Sequence, residues 1–316
     1  MKTMITGGAG FIGSHLVDAL LQRGYGAAVL DNFSTGKQEN ISRALRNGAT
    51  LFRADVRESE QVADAVGSFQ PEVIFHLAAQ MNVRESVANP AFDARTNIEG
   101  TINVLEAARR IGAWVINVST GGAMYGDIDT VPTPESVEPR PEAPYGQSKY
   151  CAERYVALYA RLHGLRGATV RLGNVYGPRQ DPSGEAGVVA IFCGHLGDRK
   201  RPTVYGTGRQ TRDYVYVSDV IAGLLAVLDH REAYGEYNCG TGRASSVLDI
   251  IEALEPYADG DFAPEFAEAR TGEIERSCLD VTRAFKELGW SSEVDLAEGL
   301  HQTIRWARID RVPVAG

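Results

Sequence analysis

Tyr145-Gly146-Gln147-Ser148-Lys149 sets a phenol and an ammonium four residues apart, at the head of a helical pattern that runs to about Leu162. At that spacing both side chains share one helical face. A free phenol titrates near 10 and is a poor base at neutral pH. A neighbouring ammonium favours the phenolate, so the Tyr145 pKa is expected to fall. Such a pair can act as acid and base in interconverting an alcohol and a ketone. Upstream, Ser119-Thr120-Gly121-Gly122 closes a strongly apolar run. A hydroxyl at the carboxyl end of a strand can hydrogen-bond the reacting oxygen and relay its proton. Thr120 is the expected hydroxyl, with Ser119 as the alternative.

A hydride acceptor is signalled at the other end of the chain. Thr6-Gly7-Gly8-Ala9-Gly10-Phe11-Ile12-Gly13 follows a short apolar run and opens a helical one. Gly7 permits a tight turn, Gly10 lets backbone approach a pyrophosphate, and Gly13 lets helix and strand pack closely. The N–H groups and dipole of the helix then face the phosphates. Asp31 ends the next apolar run, 24 residues after Gly7. An acid there accepts hydrogen bonds from both ribose hydroxyls of an adenosine and repels a 2′-phosphate, which favours NAD over NADP. The oxidised nicotinamide is a second influence that lowers the Tyr145 pKa.

These groups need a scaffold that brings residues 7, 31, 120 and 145 to one edge. Strands are expected at Lys2–Thr6, Ala27–Asp31, Thr50–Ala54, Glu72–Leu77, Trp114–Ser119 and Ala168–Leu172, with helices between them such as Phe11–Arg23. Strand–helix alternation predicts a doubly wound parallel α/β sheet, the Rossmann arrangement, with ligands at the carboxyl ends of its strands. Residues 1–175 form the expected NAD-binding domain, with a return segment near 210–245. Residues 176–316 form a smaller, partly helical lobe, with helices at Asp219–Leu228, Ser246–Leu254, Val281–Leu288 and Leu296–Ala307.

Composition narrows the partners. The 316 residues are 44% hydrophobic and 23% charged, and acids exceed bases by 41 to 32. A net charge of −9 disfavours nucleic acid as a partner. The four cysteines show no metal-ligand spacing, so no metal site is expected. No apolar run is long enough for a transmembrane helix, and the apolar start is broken by glycines unlike a signal peptide. A cytoplasmic protein without membrane contact is the expectation.

Together, Thr6–Gly13, Asp31-Asn32-Phe33-Ser34-Thr35-Gly36, Ala78-Ala79, Asn97, Ser119–Gly126, Tyr145-x-x-x-Lys149 and Arg212-Asp213-Tyr214-Val215 resemble the extended short-chain dehydrogenase/reductase superfamily. Within it the chain is most similar to the UDP-glucose 4-epimerases, from Met1 to about Trp306. The resemblance implies that Phe11 and Ile12 lie along the NAD pyrophosphate. Asp31, Asn32, Ser34 and Gly36 would hold the adenosine ribose, and Asp55 and Val56 would meet the adenine. Leu77, Ala78, Ala79 and Asn97 would line the nicotinamide side, and Lys149 would also bond its ribose. Ser119, Thr120, Asn174, Arg212 and Arg270 would meet the nucleotide sugar, the two guanidiniums matching its diphosphate. Val188, Thr203 and Tyr205 would border its base.

The implied reaction is redox-neutral 4-epimerisation of a UDP-hexose through a transient 4-keto sugar, with UDP-glucose and UDP-galactose the leading pair. UDP-glucuronate and UDP-GlcNAc remain as alternatives, as does thymidine for uridine. Gly121 and Gly122 supply no carboxylate where related dehydratases and decarboxylases carry one. Gly177-Pro178-Arg179 is followed by Gln180 and Asp181, not by the arginine of glucuronate-using members. The resemblance puts Ser277 at the position of a bulky gate of glucose-only members, where so small a residue would admit an N-acetyl group. A net nucleotide-sugar reductase with exchangeable cofactor and a non-catalytic NAD sensor are the competing classes. A homodimer through the helices around Asn97–Arg110 and Tyr145–Leu162 is also implied.

Overall fold

The computed structural model describes residues 1–182, 187–269 and 274–310. Its first half alternates strictly. β1 (Lys2–Thr6), α1 (Phe11–Gln22), β2 (Gly26–Asp31), α2 (Gln38–Arg46), β3 (Thr50–Arg53), α3 (Ser59–Phe69) and β4 (Val73–His76) follow one another. Two short helices come next, α4 (Val83–Ala88) and α5 (Pro90–Ala94). A π-helical turn, Arg95–Glu99, then leads into α6 (Gly100–Ile111), β5 (Trp114–Thr120), α7 (Pro144–His163) and β6 (Gly167–Leu172). All six expected strands are present, to within a residue or two at their ends.

A seventh strand, Gly235–Cys239, completes one wholly parallel sheet. Its order is β3-β2-β1-β4-β5-β6 followed by Gly235–Cys239. No strand was expected at Gly235–Cys239, because Glu236 and Asn238 interrupt its apolar pattern. Asn238 is wholly buried, and its amide donates to the carbonyls of Thr133 and Asp280. Those bonds satisfy a polar residue that sequence periodicity would place outside.

Both faces of the sheet are covered. Ile5, Val29, Phe75 and Ile116 face one apolar layer, while Met4, Leu30, Ile74 and Val115 face the other. This follows from the two-residue period of a strand and explains why these segments read as continuous apolar runs. Each fully buried Ile or Leu contributes roughly 1.5–3 kcal/mol. Chain order reverses between β1 and β4, and a crevice opens there at the carboxyl ends of the strands.

The remaining chain builds a lobe beyond that edge. It contains helices Val188–Asp198, Val247–Leu254, Thr282–Leu288 and Leu296–Asp310, and paired short strands such as Thr203–Tyr205 with Glu265–Ala267. Helix Val217–Asp229 instead packs against α1 and the central sheet. No helix among the described residues is long and apolar enough to cross a membrane. Among the same residues no group of three or more His, Cys, Asp or Glu is placed to hold a metal ion.

Candidate active site

The crevice begins at the glycine-rich turn. Gly7 has φ +69°, a conformation that favours glycine, and its N–H donates to the Leu30 carbonyl at 2.9 Å. A Cβ on Gly7 would lie 2.8 Å from the Ala78 nitrogen, and one on Gly13 would strike the Gly7 carbonyl oxygen. The turn therefore packs directly on the Leu77-Ala78 backbone. Gly10 caps α1 with no side-chain hydrogen bond, so Phe11, Ile12 and the first N–H groups of the helix face the crevice.

Asp31 is the keystone of this turn. Its Oδ2 accepts the Ala9 N–H at 2.9 Å and its Oδ1 accepts the Phe33 N–H at 2.8 Å. Each oxygen keeps a lone pair for a ribose hydroxyl. Burial pushes its carboxyl above the usual range, opposed by those two N–H bonds. A Cβ on Gly36 would stand 2.9 Å from Asp31 Oδ1, so the approach stays open only with glycine there. Asn32 accepts from the Ser34 N–H and donates to Asp55 Oδ2. Hydrogen bonds from Arg57 bring the Asp55 carboxyl down to about 2. Val56 is buried against Gly100. A glycine-lined cradle, an uncapped helix start and an acid ending β2 suit NAD.

At the far side, β5 and α7 bring the proposed chemistry together. Thr120 ends β5, and its hydroxyl accepts the Ala123 N–H at 3.2 Å. Thr120 also lies close enough to the Tyr145 phenol to draw its pKa down. Ser119 points the other way, as alternation along a strand requires. Its hydroxyl is buried beside Glu153 and makes no well-formed hydrogen bond. Tyr145 follows Pro144 at the start of α7 and is half-buried, while Lys149 is 3% exposed.

The Tyr145 pKa departs from expectation. Desolvation pushes the phenol up to about 12, the negative charge of Asp93 adds to this, and the Thr120 bond opposes it. Burial draws Lys149 down to about 8, with Glu153 and Asp93 acting the other way. Among the protein's own groups, burial of the phenol itself outweighs what lowers it.

Asn97 lies in the π-helical turn, a distortion often found at functional sites. Its side chain clamps Gln80: Oδ1 accepts the Gln80 N–H at 2.8 Å, and Nδ2 donates to the Gln80 carbonyl at 2.9 Å. Nδ2 also reaches Ser148 Oγ at 2.9 Å. Asn97 therefore fixes the loop that carries Leu77, Ala78 and Ala79. A second chain of bonds supports the same loop. The Ala78 N–H donates to Thr6 Oγ1, and Thr6 Oγ1 meets His76 Nδ1 at 2.7 Å. Thr101 Oγ1 donates to the Asn97 carbonyl, so it can only accept from His76 Nε2, 2.9 Å away. The imidazole is thereby held as the Nε2–H tautomer.

The lobe supplies the other wall. The segments Asn174–Tyr176 and Tyr214–Tyr216 pair in parallel, which sets Asn174 beside the Arg212-Asp213 turn. Asn174 Oδ1 is buried without a partner, and a Cβ on Gly122 would lie 3.0 Å from it. A Cβ on Gly121 would meet the Leu279 side chain. Neither position could carry a carboxylate without displacing its neighbour. Val188 starts helix Val188–Asp198, and Thr203 and Tyr205 lie on one short strand. Arg270 lies outside the described residues.

Asp213 was not singled out from the sequence as a site residue. It accepts from Thr241 N and Oγ1, Gly242 N and Leu279 N, and so anchors the turn that presents Arg212. Only its adjacency to Arg212 could have suggested this.

A family model described as the NAD-dependent epimerase/dehydratase family matches residues 3–240. The chain is 41% identical over 310 residues to the UDP-glucose 4-epimerase of Mycolicibacterium smegmatis, covering 98% of this chain and 99% of that protein. It is 40% identical over 306 residues to a putative UDP-glucose 4-epimerase of Methanocaldococcus jannaschii, covering 96% and 98% respectively. Among solved structures, the UDP-glucose 4-epimerase of Thermotoga maritima with UDP-glucose superposes with a TM-score of 0.94 at 42% identity, covering 98% of this chain and 99% of that one. By this family match and these relatives, the chain belongs to the NAD-dependent epimerase/dehydratase family.

Proposed function

We propose that the protein interconverts UDP-glucose and UDP-galactose by NAD-dependent 4-epimerisation. The observation that carries this reading is the contact between Thr120 and Tyr145 at the edge shared with the glycine-rich turn. Tyr145, as phenolate, removes the proton of the sugar 4-hydroxyl, and Thr120 donates a hydrogen bond to the same oxygen. Lys149 supplies positive charge behind the phenol. The glycine-rich turn and Asp31 would hold NAD, which when bound would supply the hydride acceptor and donor for C4. Asn174, Arg212 and Arg270 hold the diphosphate while the ketose turns over. Ser119 acts from behind as a support of Glu153, and Val188, Thr203 and Tyr205 border the base. The 4-epimerase reading is favoured over dehydration and decarboxylation by Gly121 and Gly122, which supply no acid and pack against the Leu279 and Asn174 side chains.

One observation favours a second substrate. Ser277 is half-buried, its N–H bonded to the Thr211 carbonyl, and it sits one residue from the Arg276–Thr211 bridge beside Arg212. A side chain this small leaves room for an N-acetyl group, so UDP-GlcNAc is the runner-up. The protein works as a homodimer through α6 and α7, in the cytoplasm, on a small-molecule partner.

The deciding experiment incubates the purified protein separately with UDP-glucose, UDP-GlcNAc and UDP-glucuronate and resolves the epimers. Formation of UDP-galactose without added NAD supports the reading. Product only from UDP-GlcNAc or UDP-glucuronate reassigns the substrate. Net accumulation of NADH with an oxidised sugar would replace the epimerase by a dehydrogenase.

A further inference from the structure

Behind Tyr145 and Lys149 lies a carboxylate that the reaction as described does not use. Asp93, on α5, is 1% exposed. Its Oδ1 accepts from Gln80 Nε2 at 2.9 Å and Asn97 Nδ2 at 3.2 Å. Its Oδ2 is buried with no hydrogen-bond partner. The nearby Ser148 hydroxyl is within 3.0 Å of the Tyr145 carbonyl and also lies close enough to Asp93 to draw its carboxyl down, against the upward push of burial. Leaving a buried carboxylate oxygen unpaired costs at least about 1–3 kcal/mol. Such a group calls for an explanation, and a neighbouring cation that uses the charge is one.

The surroundings name that neighbour. The titratable and charged groups facing Lys149 are few. Glu153 comes from its own helix, His76 from β4, and Asp93 from α5, while Tyr145 stands one turn earlier on the same helix. His76 is neutral, its pKa drawn down to about 3 by burial. Glu153 is matched by Arg171, which grips it through Nε and Nη2. Among the described residues no arginine pairs with Asp93. Of the two acids that act on Lys149, Glu153 is thus neutralised and Asp93 is not.

We propose that Asp93 is a positioning residue whose carboxylate is the counter-ion that keeps Lys149 an ammonium beside Tyr145. The same side chain steadies Asn97 and Gln80 through Oδ1, so one acid holds both the charge of the pair and the loop beside it. Its catalytic consequence rests on the assignment of Tyr145 and Lys149 given above; the charge of Lys149 itself is tested without turnover.

The chain has only five lysines, at positions 2, 37, 149, 200 and 286, which makes a direct titration practical. Protein labelled with [15N]lysine and purified with its cofactor is titrated by NMR, and the Lys149 signal is assigned by its absence from K149M. In wild type it titrates near 8. In D93N the midpoint falls by about one unit or more, the size of effect an adjacent opposite charge exerts. In D93E, which keeps the charge, it stays close to wild type. A merely structural role would lower the melting temperature of D93N and leave this midpoint in place. An unmoved midpoint in D93N, or an equal fall in D93E, overturns the proposal. If D93N does not fold, D93S takes its place: a fall of a unit supports the proposal, and an unmoved midpoint overturns it. The alkaline limb of kcat for UDP-galactose should move down with the midpoint. A wild-type protein inactive on every UDP-hexose would overturn the function and leave the lysine titration as the test of Asp93.

Discussion

Arg171 and Glu153 form a two-pronged ion pair one helical turn beyond Lys149, with Nη2 to Oε2 at 2.7 Å and Nε to Oε1 at 3.1 Å. Both side chains are almost wholly buried, and Arg171 Nη1 continues to the Tyr125 hydroxyl at 2.8 Å. The pair joins α7 to β6, and Tyr125 joins it to Asn238 on the seventh strand. Removing one partner strands a buried charge, at a cost of about 3–5 kcal/mol. E153A and R171M should each show a loss on that scale in urea melts, and the apolar double variant E153L/R171M should lose less than the sum. Single losses below about 1 kcal/mol, the range of a surface pair, would contradict the burial argument.

Tyr145→Phe removes the acid/base but no packing. The turnover number should fall by at least about 10²-fold with the melting temperature unchanged. T120V should fall by about 10- to 100-fold, the loss of one hydrogen bond to a charged oxygen. S119A should remain within a few-fold of wild type, because its hydroxyl faces Glu153. Equal losses in S119A and T120V would mean that the strand is rotated from the arrangement described.

His76 gives the protein an acid weakness. Its folded pKa is near 3, against an ordinary value of 6.5, so between those values the unfolded chain binds a proton that the folded one refuses. Stability from this group is complete above about 6.5 and is lost as pH falls toward 3. H76Q keeps a donor near Nε2 but cannot titrate. Its stability should fall less steeply across that window. Parallel curves for the two proteins, measured by thermal melts at several pH values, would remove His76 as the cause.

Asp31 should decide the cofactor. D31S takes away a charged acceptor for the adenosine ribose and the repulsion of a 2′-phosphate. Preference for NAD over NADP should drop by about 10- to 100-fold, as expected for one hydrogen bond to a charged group. Calorimetric titration of both dinucleotides into stripped protein measures it. Because Asp31 also binds the Ala9 and Phe33 N–H groups, D31S should in addition melt earlier.

Near-neighbour spacing was enough for much of this protein. Gly7, Gly10 and Gly13, the acid at 31, and Tyr145 with Lys149 are local patterns whose geometry follows from strand and helix periods. They announce six strands of the sheet, a cofactor and a pair of chemical groups before any fold is known. The same spacing could not choose between Ser119 and Thr120, which are both hydroxyls at a strand end. Only the register of β5 against α7 turns one toward Tyr145 and the other toward Glu153.

Position in space also decided what periodicity concealed. Gly235–Cys239 is a sheet strand because Asn238 finds the Thr133 and Asp280 carbonyls, residues far away in sequence. Asp213 matters because donors from 241, 242 and 279 converge on it. Asp93 has no motif at all; the role proposed for it starts from a buried oxygen that no spacing along the chain reveals. The upward push that burial gives the Tyr145 phenol was likewise hidden, since charge counted along the sequence carries no information about burial. The sequence by itself determined the scaffold and the kinds of chemistry it carries, because these depend on contacts a few residues apart. Tertiary structure decided which polar groups are desolvated, which are paired and which are left unpaired, because those depend on the dielectric surroundings that only long-range packing creates.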